Sequence, residues 1–252
     1  MLEAFQIDNR KDNTIGVHLD AVSLSIAGRT IIHDLYLHLD EKRIAIIGCN
    51  GSGKTTLLRL IAGLIAPTHG NIRVEGIDPF RDRRGVLSQL GILFQNPDHQ
   101  IIFPTVGEEL AFGLKQQGHK ADDVVRMVKA LLMRHGRAHW YDASVQTLSQ
   151  GQRQFLCLLS ILAMKPQTIL LDEPFSGLDL PTAARLSRAF TQLPQRLITV
   201  THDPAVARVA ERVVWIDAGR VRADGTPEMV LPVFEAEMQE MGERDADIDL
   251  AP

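Results

Sequence analysis

Short apolar blocks of strand length alternate along the chain with longer stretches in which apolar residues recur every three or four positions. Val17–Leu19, Ser23–Ile26 and Ile31–Leu39 open the chain as strands, parted by turn residues such as Ala27-Gly28-Arg29. Arg43–Ile47 is a compact run ending at glycine, and Thr55–Ile65 behind it is apolar at helical spacing. The two predict a strand–loop–helix unit. Gly91–Phe94, Thr168–Leu171, Leu197–Val200 and Val213–Ile216 read as further buried strands, with helical segments between most of them. Alternation of this kind predicts a parallel sheet covered by helices.

Between Gln95 and Met164 the pattern changes. Asp122–His135 carries Val124, Val125, Val128, Leu131 and Leu132, an amphipathic helix with Asp122 or Asp123 as its expected N-cap. Gln152–Met164 reads as a second, mostly buried helix stopped by Lys165-Pro166. Residues 96–165 are therefore expected to form a helical subdomain inserted into an α/β core that spans 15–231. Residues 232–252 end in acidic MGERDADIDLAP and read as a solvated, frayed tail.

Composition adds limits. A net charge of −4 gives no global basic field, so nucleic acid is not an expected partner. The longest apolar run, Phe155–Met164, is half of what a membrane span needs, and the N-terminus lacks the apolar core of a secretion signal. Two cysteines, Cys49 and Cys157, make no disulfide framework and fit a reducing compartment.

Gly48-Cys49-Asn50-Gly51-Ser52-Gly53-Lys54-Thr55 fits G-x-x-x-x-G-K-[ST] and lies between a buried strand and an apolar helix. A triphosphate is held best by many backbone N–H groups pointing inward, and glycines let the chain wrap that closely. The helix starting near Lys54 aims its positive end at the phosphates. Lys54 would neutralise the β/γ oxygens, and the Thr55 hydroxyl would ligate Mg²⁺, with Thr56 beside it. Cys49 places a thiol within this loop, where inward N–H groups and Lys54 would favour its reactivity.

Ile169-Leu170-Leu171-Asp172-Glu173-Pro174 delivers two adjacent carboxylates at the C-terminal end of a buried strand, the edge where ligands sit in open α/β sheets. Neighbouring residues on a strand point to opposite sides, so the acids take different roles. Asp172 would hold Mg²⁺ through water, and Glu173 would orient and deprotonate the attacking water. His135 and His139, four apart, suggest a metal pair, but Gly136 lies between them and no third ligand is evident.

Leu148-Ser149-Gln150-Gly151-Gln152 precedes the buried helix, Ser176-Gly177-Leu178-Asp179 follows the acid pair, and His202 and Gln95 each end a strand. With these in order over roughly Val17 to Leu231, the chain resembles the ATPase subunits of ABC transporters. The resemblance implies a P-loop NTPase parallel-sheet core with an N-terminal antiparallel β subdomain and the helical insert. It implies ATP and Mg²⁺ bound at Asn50, Gly51, Ser52, Gly53, Lys54, Thr55 and Thr56. By the same resemblance Ser149 and Gly151 are the signature that closes on the partner's γ-phosphate, and Asp179 belongs to the D-loop. Gln95 senses Mg²⁺ and water, and His202 is the switch histidine. Two departures stand out: Gln150 replaces the signature's usual first glycine, and Ile26 stands about where an adenine-stacking aromatic is common.

Phe94-Gln95-Asn96-Pro97-Asp98-His99-Gln100-Ile101-Ile102-Phe103-Pro104-Thr105-Val106 and Ile161–Pro166 resemble segments of energy-coupling factor ATPases, in forms most similar to biotin-uptake subunits; cobalt or nickel uptake is the alternative. The partners so implied are a second ATPase subunit, a transmembrane coupling protein and a substrate-binding membrane protein at the cytoplasmic face of the membrane. Both halves of the site are intact, so a homodimer is chemically sufficient, and the solute is not bound by this chain. Ile101, Ile102 and Phe103 would line the groove for a coupling helix. A non-transport ABC ATPase acting on ribosomes or DNA fits less well, because only one nucleotide loop is present and the net charge is negative.

Overall fold

The computed structural model describes residues 15–245. Strands β1 (Val17–Ile26) and β2 (Arg29–Leu39) form a hairpin. Ala27 and Gly28 connect them with φ of 49° and 78°, the paired left-handed values that match the natural twist of a tight hairpin. The sequence suggested two short strands where β1 is one. The register shifts between Leu19 and Val22, and Ala21 between them has φ 51°, so a bulge interrupts the apolar alternation without ending the strand.

Strand β3 (Arg43–Ile47) leads through the glycine loop into helix α1 (Lys54–Ile61). Strand β4 (His69–Val74) then joins β1, giving an antiparallel sheet in the order β2-β1-β4. Helix α2 (Arg83–Gln89) precedes β5 (Leu90–Leu93). Next come α3 (Val106–Gln116), α4 (Ala121–Arg134) and α5 (Gln150–Ala163), the inserted helical layer with its own core around Val106, Leu110, Val128, Leu132, Trp140 and Leu156. The N-cap of α4 is Lys120, which makes no side-chain cap bond. Asp122 and Asp123 instead occupy its first turn, where their charge still favours the helix dipole.

The chain returns to the sheet with β6 (Thr168–Asp172), α6 (Leu180–Thr191), β7 (Arg196–Val200), α7 (Pro204–Ala207), β8 (Arg212–Asp217) and β9 (Arg220–Gly225), and ends in α8 (Pro227–Asp245). The main sheet runs β5-β6-β7-β3-β8-β9, parallel except for β9. Its central strands are buried on both faces, which explains why RIAII, TILLD and RLITV are apolar almost without alternation. Consequently the C-terminal ends of β3, β5, β6 and β7 share one edge.

A solvated tail beginning at Pro232 is not what the structure shows. The chain is helical to Asp245, and Val230, Leu231 and Phe234 are buried against the far face of the sheet. Phe234 meets Trp215 edge-on, with centroids 5.2 Å apart. The helix also exposes Met229, Val233 and Met241, so its apolar residues do not gather on one face, and the short buried stripe did not stand out in the sequence. Residues 246–252 lie outside the described residues. Among the described residues no helix is long and apolar enough to cross a membrane.

Candidate active site

The glycine loop turns from β3 into α1 through Gly48, Gly51 and Gly53, all at positive φ (149°, 80° and 107°). At Gly48 the space is also closed: a Cβ there would lie 2.1 Å from the Ile216 carbonyl oxygen. Only glycine satisfies both conditions. Lys54 folds back inside the loop, donating from Nζ to the carbonyl oxygens of Gly48 at 2.7 Å and Cys49 at 2.8 Å. It is 7% exposed, and burial pushes its ammonium below the usual lysine range against the pull of Glu173 and Asp172.

Strand β6 is separated from β3 by β7, so the acid pair approaches the loop across one intervening strand. Asp172 is 8% exposed, and its Oδ1 accepts from Thr55 Oγ1 at 3.5 Å. Burial, and then Glu173, raises the Asp172 carboxyl above its ordinary value; Arg59, Thr55 and Lys54 pull the other way. A buried carboxylate beside a hydroxyl, with its negative charge incompletely balanced, is an oxygen donor set that suits a small hard cation. Thr55 and Asp172 therefore fit Mg²⁺.

Glu173 leaves the strand with φ 46°, a left-handed conformation rarely adopted outside glycine. Its N–H donates to the Val200 carbonyl at 2.9 Å, which fixes the turn. The side chain meets partners other than the Thr55 hydroxyl that bonds Asp172. Its Oε1 lies 2.8 Å from His202 Nδ1, and its Oε2 accepts from Thr201 Oγ1 at 3.4 Å. Gln95 donates to Ser176 Oγ at 3.2 Å, linking the end of β5 to the loop after the acid pair.

A cavity of about 310 Å³ gathers Asn50, Gly51, Gly53, Lys54, Thr55, Thr56, Gln95, Glu173 and His202. Ile31 and Val200 complete its wall; neither was singled out from the sequence, where each looks like ordinary strand filling. Ser52 is not in the wall: its hydroxyl is buried within the loop without a hydrogen-bond partner. Cys49 also faces elsewhere. Its Sγ contacts Met238 Sδ of α8 at 3.2 Å and lines a separate cavity with Trp215 and Arg222. The thiol thus lies behind the phosphate loop, not beside its inward N–H groups. Ile26 is exposed and outside the cavity wall.

Ser149 and Gly151 also lie outside that cavity. Ser149 caps α5 in a reciprocal box: its Oγ accepts from Gln152 N at 3.3 Å while its own N–H donates to Gln152 Oε1 at 2.8 Å. Gly151 leaves no room for a side chain, since a Cβ would lie 2.4 Å from Thr182 Cγ2. Asp179 caps α6 through Thr182 N at 2.7 Å, and hydrogen bonding from Thr182, its side chain first and its backbone second, holds the Asp179 carboxyl below the usual range. The histidine pair does not form a metal site. His135 ends α4, packs edge-on to Phe155 at 5.8 Å and has its pKa lowered by burial, while His139 lies in the next turn beside Trp140. Among the described residues no cluster of three or more His, Cys, Asp or Glu could hold a metal.

A phosphate loop on a central strand, with a carboxylate pair at the same sheet edge two strands away, defines a P-loop nucleoside triphosphatase. The family model described as ABC transporter matches residues 32–176. The chain is 49% identical, over 88% of its length and 95% of the relative's, to the biotin transport ATP-binding protein BioM of Rhodobacter capsulatus. It is 34% identical to the energy-coupling factor transporter ATP-binding protein EcfA1 of Halalkalibacterium halodurans, covering 78% of this chain and 72% of that one. The solved structure of cbiO1 from Clostridium perfringens, part of the ABC transporter complex cbiONQ, superposes with a TM-score of 0.76 at 25% identity, covering 90% of this chain and 94% of that one. The chain belongs to the ABC transporter ATP-binding family, whose members bind and hydrolyse ATP to drive transport.

Proposed function

We propose that the chain is the motor subunit of an energy-coupling factor importer for biotin, working in pairs on the cytoplasmic face of the membrane. The observation that carries the reading is the 49% identity to a biotin transport ATP-binding protein over 88% of the chain. Cobalt or nickel uptake is the second reading, supported by the likeness to cbiO1.

In this reading two chains, identical or related, bind ATP head to tail. Each site combines the phosphate loop, Lys54, Thr55, Asp172 and Glu173 of one chain with Ser149 and Gly151 of the other. The separation seen here between Ser149 and its own chain's phosphate cavity supports this, because the signature is left free for a neighbour's nucleotide. Mg²⁺, held by Thr55 and Asp172 with Gln95 nearby, would neutralise charge on the β and γ oxygens. Lys54 exchanges the two loop carbonyls for phosphate oxygens. Glu173 takes a proton from the attacking water, and His202, 2.8 Å from it, holds the carboxylate in line. Ile102, 70% exposed after the Gln95 loop, is offered to a coupling helix of the transmembrane protein.

The test is labelled-solute uptake in cells from which the chain has been deleted, with membrane partners identified by co-purification. Loss of biotin uptake, restored by the parent chain and not by Glu173→Gln, is expected. Normal biotin uptake with loss of cobalt or nickel uptake would replace the first reading with the second.

A further inference from the structure

Helix α5 carries a buried polar residue, Gln154, and beside it a half-buried one, Arg153, that the nucleotide cavity does not explain. Gln154 is 2% exposed among Leu156, Cys157 and Leu158, and its side-chain oxygen is buried without a hydrogen-bond partner. An unmet buried acceptor is unfavourable, and an apolar side chain of similar shape would avoid it. What the amide does make is one bond, from Nε2 to the Phe94 carbonyl at 3.3 Å. The N–H of Phe94 donates to Gln100 Oε1 at 3.2 Å. Both backbone polar groups of the residue before Gln95 are therefore held by glutamine side chains.

Arg153 extends the grip. Its Nε lies 3.2 Å from Asp98 Oδ1, an ion pair without hydrogen-bond alignment, and its other nitrogen NH1 donates to the Leu148 carbonyl at 3.1 Å. Leu148 is the residue before Ser149. One guanidinium thus touches the entry to the signature turn and the loop after Gln95. One turn further on, Cys157 Sγ lies 4.0 Å from the Pro97 carbonyl oxygen. Residues 153, 154 and 157 of one helix hold residues 94–98.

We infer that Arg153 and Gln154 are positioning residues that make the Ser149–Gly151 turn and the Gln95 loop one rigid unit, coupling the two nucleotide sites of a pair. The inference rests on the paired reading above, in which the Ser149 turn of one chain serves its neighbour's nucleotide. When that turn closes on the neighbour's ATP, the bridge carries the displacement to Phe94 and sets Gln95 in the chain's own site. Coupling between sites requires such a physically connected element that both sites bias. Without the bridge each chain still binds ATP, but engagement of one site no longer arranges the other.

The purified full-length chain tests this through nucleotide affinity, turnover and the Hill coefficient for ATP hydrolysis. The variants are Gln154→Met, Arg153→Met, Asp98→Arg and the charge-swapped pair Arg153→Asp with Asp98→Arg. The parent is expected to hydrolyse with a Hill coefficient above 1. Gln154→Met and Arg153→Met keep nucleotide affinity within about twofold, lose roughly ten- to a hundredfold in turnover through misplacement, and fall to a Hill coefficient of about 1. The charge-swapped pair restores the ion pair between positions 98 and 153 but cannot donate to the Leu148 carbonyl, so it stays non-cooperative; recovered cooperativity there would overturn the bridge, because the ion pair alone would then suffice. Parental turnover and Hill coefficient in both methionine variants would overturn the inference, as would a non-cooperative parent. Dimerisation of the Glu173→Gln chain with ATP separates the two failures. If it pairs while the bridge variants behave as parent, only the bridge falls; if it never pairs, the paired reading falls first.

Discussion

Replacing Glu173 with glutamine isolates the proposed base from everything that binds the nucleotide. The side chain is 15% exposed, contacts His202 Nδ1 at 2.8 Å and accepts from Thr201 at 3.4 Å. Glutamine has the same shape and retains one oxygen for these contacts, so the strained turn and its Val200 bond are undisturbed. What disappears is the site that receives a proton. General base catalysis contributes on the order of 10²–10⁴ in rate, equivalent to about 3–5 kcal/mol of activation free energy. ATP affinity is expected to hold or rise, because Glu173 is one of the negative charges that oppose ionisation of Asp172. Phosphate release under single-turnover conditions measures the chemical step, and light scattering measures the ATP-bound pair that should accumulate. Turnover within about threefold of the parent would remove Glu173 as the base, whatever the scattering shows.

Asp172→Asn should raise the melting temperature of the nucleotide-free chain and abolish the further rise produced by MgATP. The sign follows from its raised carboxyl pKa: the folded state favours the protonated form, so this contribution to stability is present at pH below the unfolded carboxyl's value and lost as pH rises through the raised folded one. Gly48→Ala should abolish nucleotide binding measured by a fluorescent ATP analogue, since the new Cβ would meet the Ile216 carbonyl at 2.1 Å. Burial pushes the Cys157 thiol up to about 12, so it should resist maleimide at neutral pH until the chain unfolds. Labelling of Cys49 should accelerate in Met238→Ala, which uncovers its sulfur; peptide mapping of the adduct decides both thiol predictions. Phe234→Ala should destabilise the chain by about 3–5 kcal/mol in urea unfolding, whereas a frayed tail would give no change.

Those parts of the fold that rest on strict local requirements were legible in the sequence. The loop from Gly48 to Thr55 combines backbone conformations and close approaches that few residues allow. The buried strands announced themselves because a parallel sheet covered on both faces leaves no polar side to dilute the signal. Features that depend on packing at a distance were hidden. The apolar residues of α8 lie on its exposed as well as its buried side, and the partner of the buried ones, Trp215, lies on a strand that only the fold brings alongside. Cys49 was placed in the right loop but on the wrong side of it, because loop periodicity does not determine side-chain direction. Thr201 escaped notice, and Ser176 was quoted only as part of the run after the acid pair, for a different reason: they act on Glu173 and Gln95 through single hydrogen bonds, which leave no pattern in the sequence.

Strain and unbalanced charge in the chain gather where the triphosphate would bind. Lys54 and Asp172 are both buried and both shifted toward their neutral forms by desolvation. Glu173 sits at positive φ in the peptide link that follows Asp172. All three lie at the edge shared by β3, β6 and β7. Bound triphosphate would give Lys54 an anionic partner, and a cation at Thr55 and Asp172 would balance the carboxylate, so ligand binding removes the desolvation costs that folding alone leaves in place. A triphosphate and its cation would therefore bind more tightly to the arrangement that brings these groups together than to one that separates them. Such a difference, and not affinity alone, lets a ligand shift a conformational equilibrium. On the proposed reading, loss of the γ-phosphate would take away the anionic partner of Lys54 and so weaken that preference.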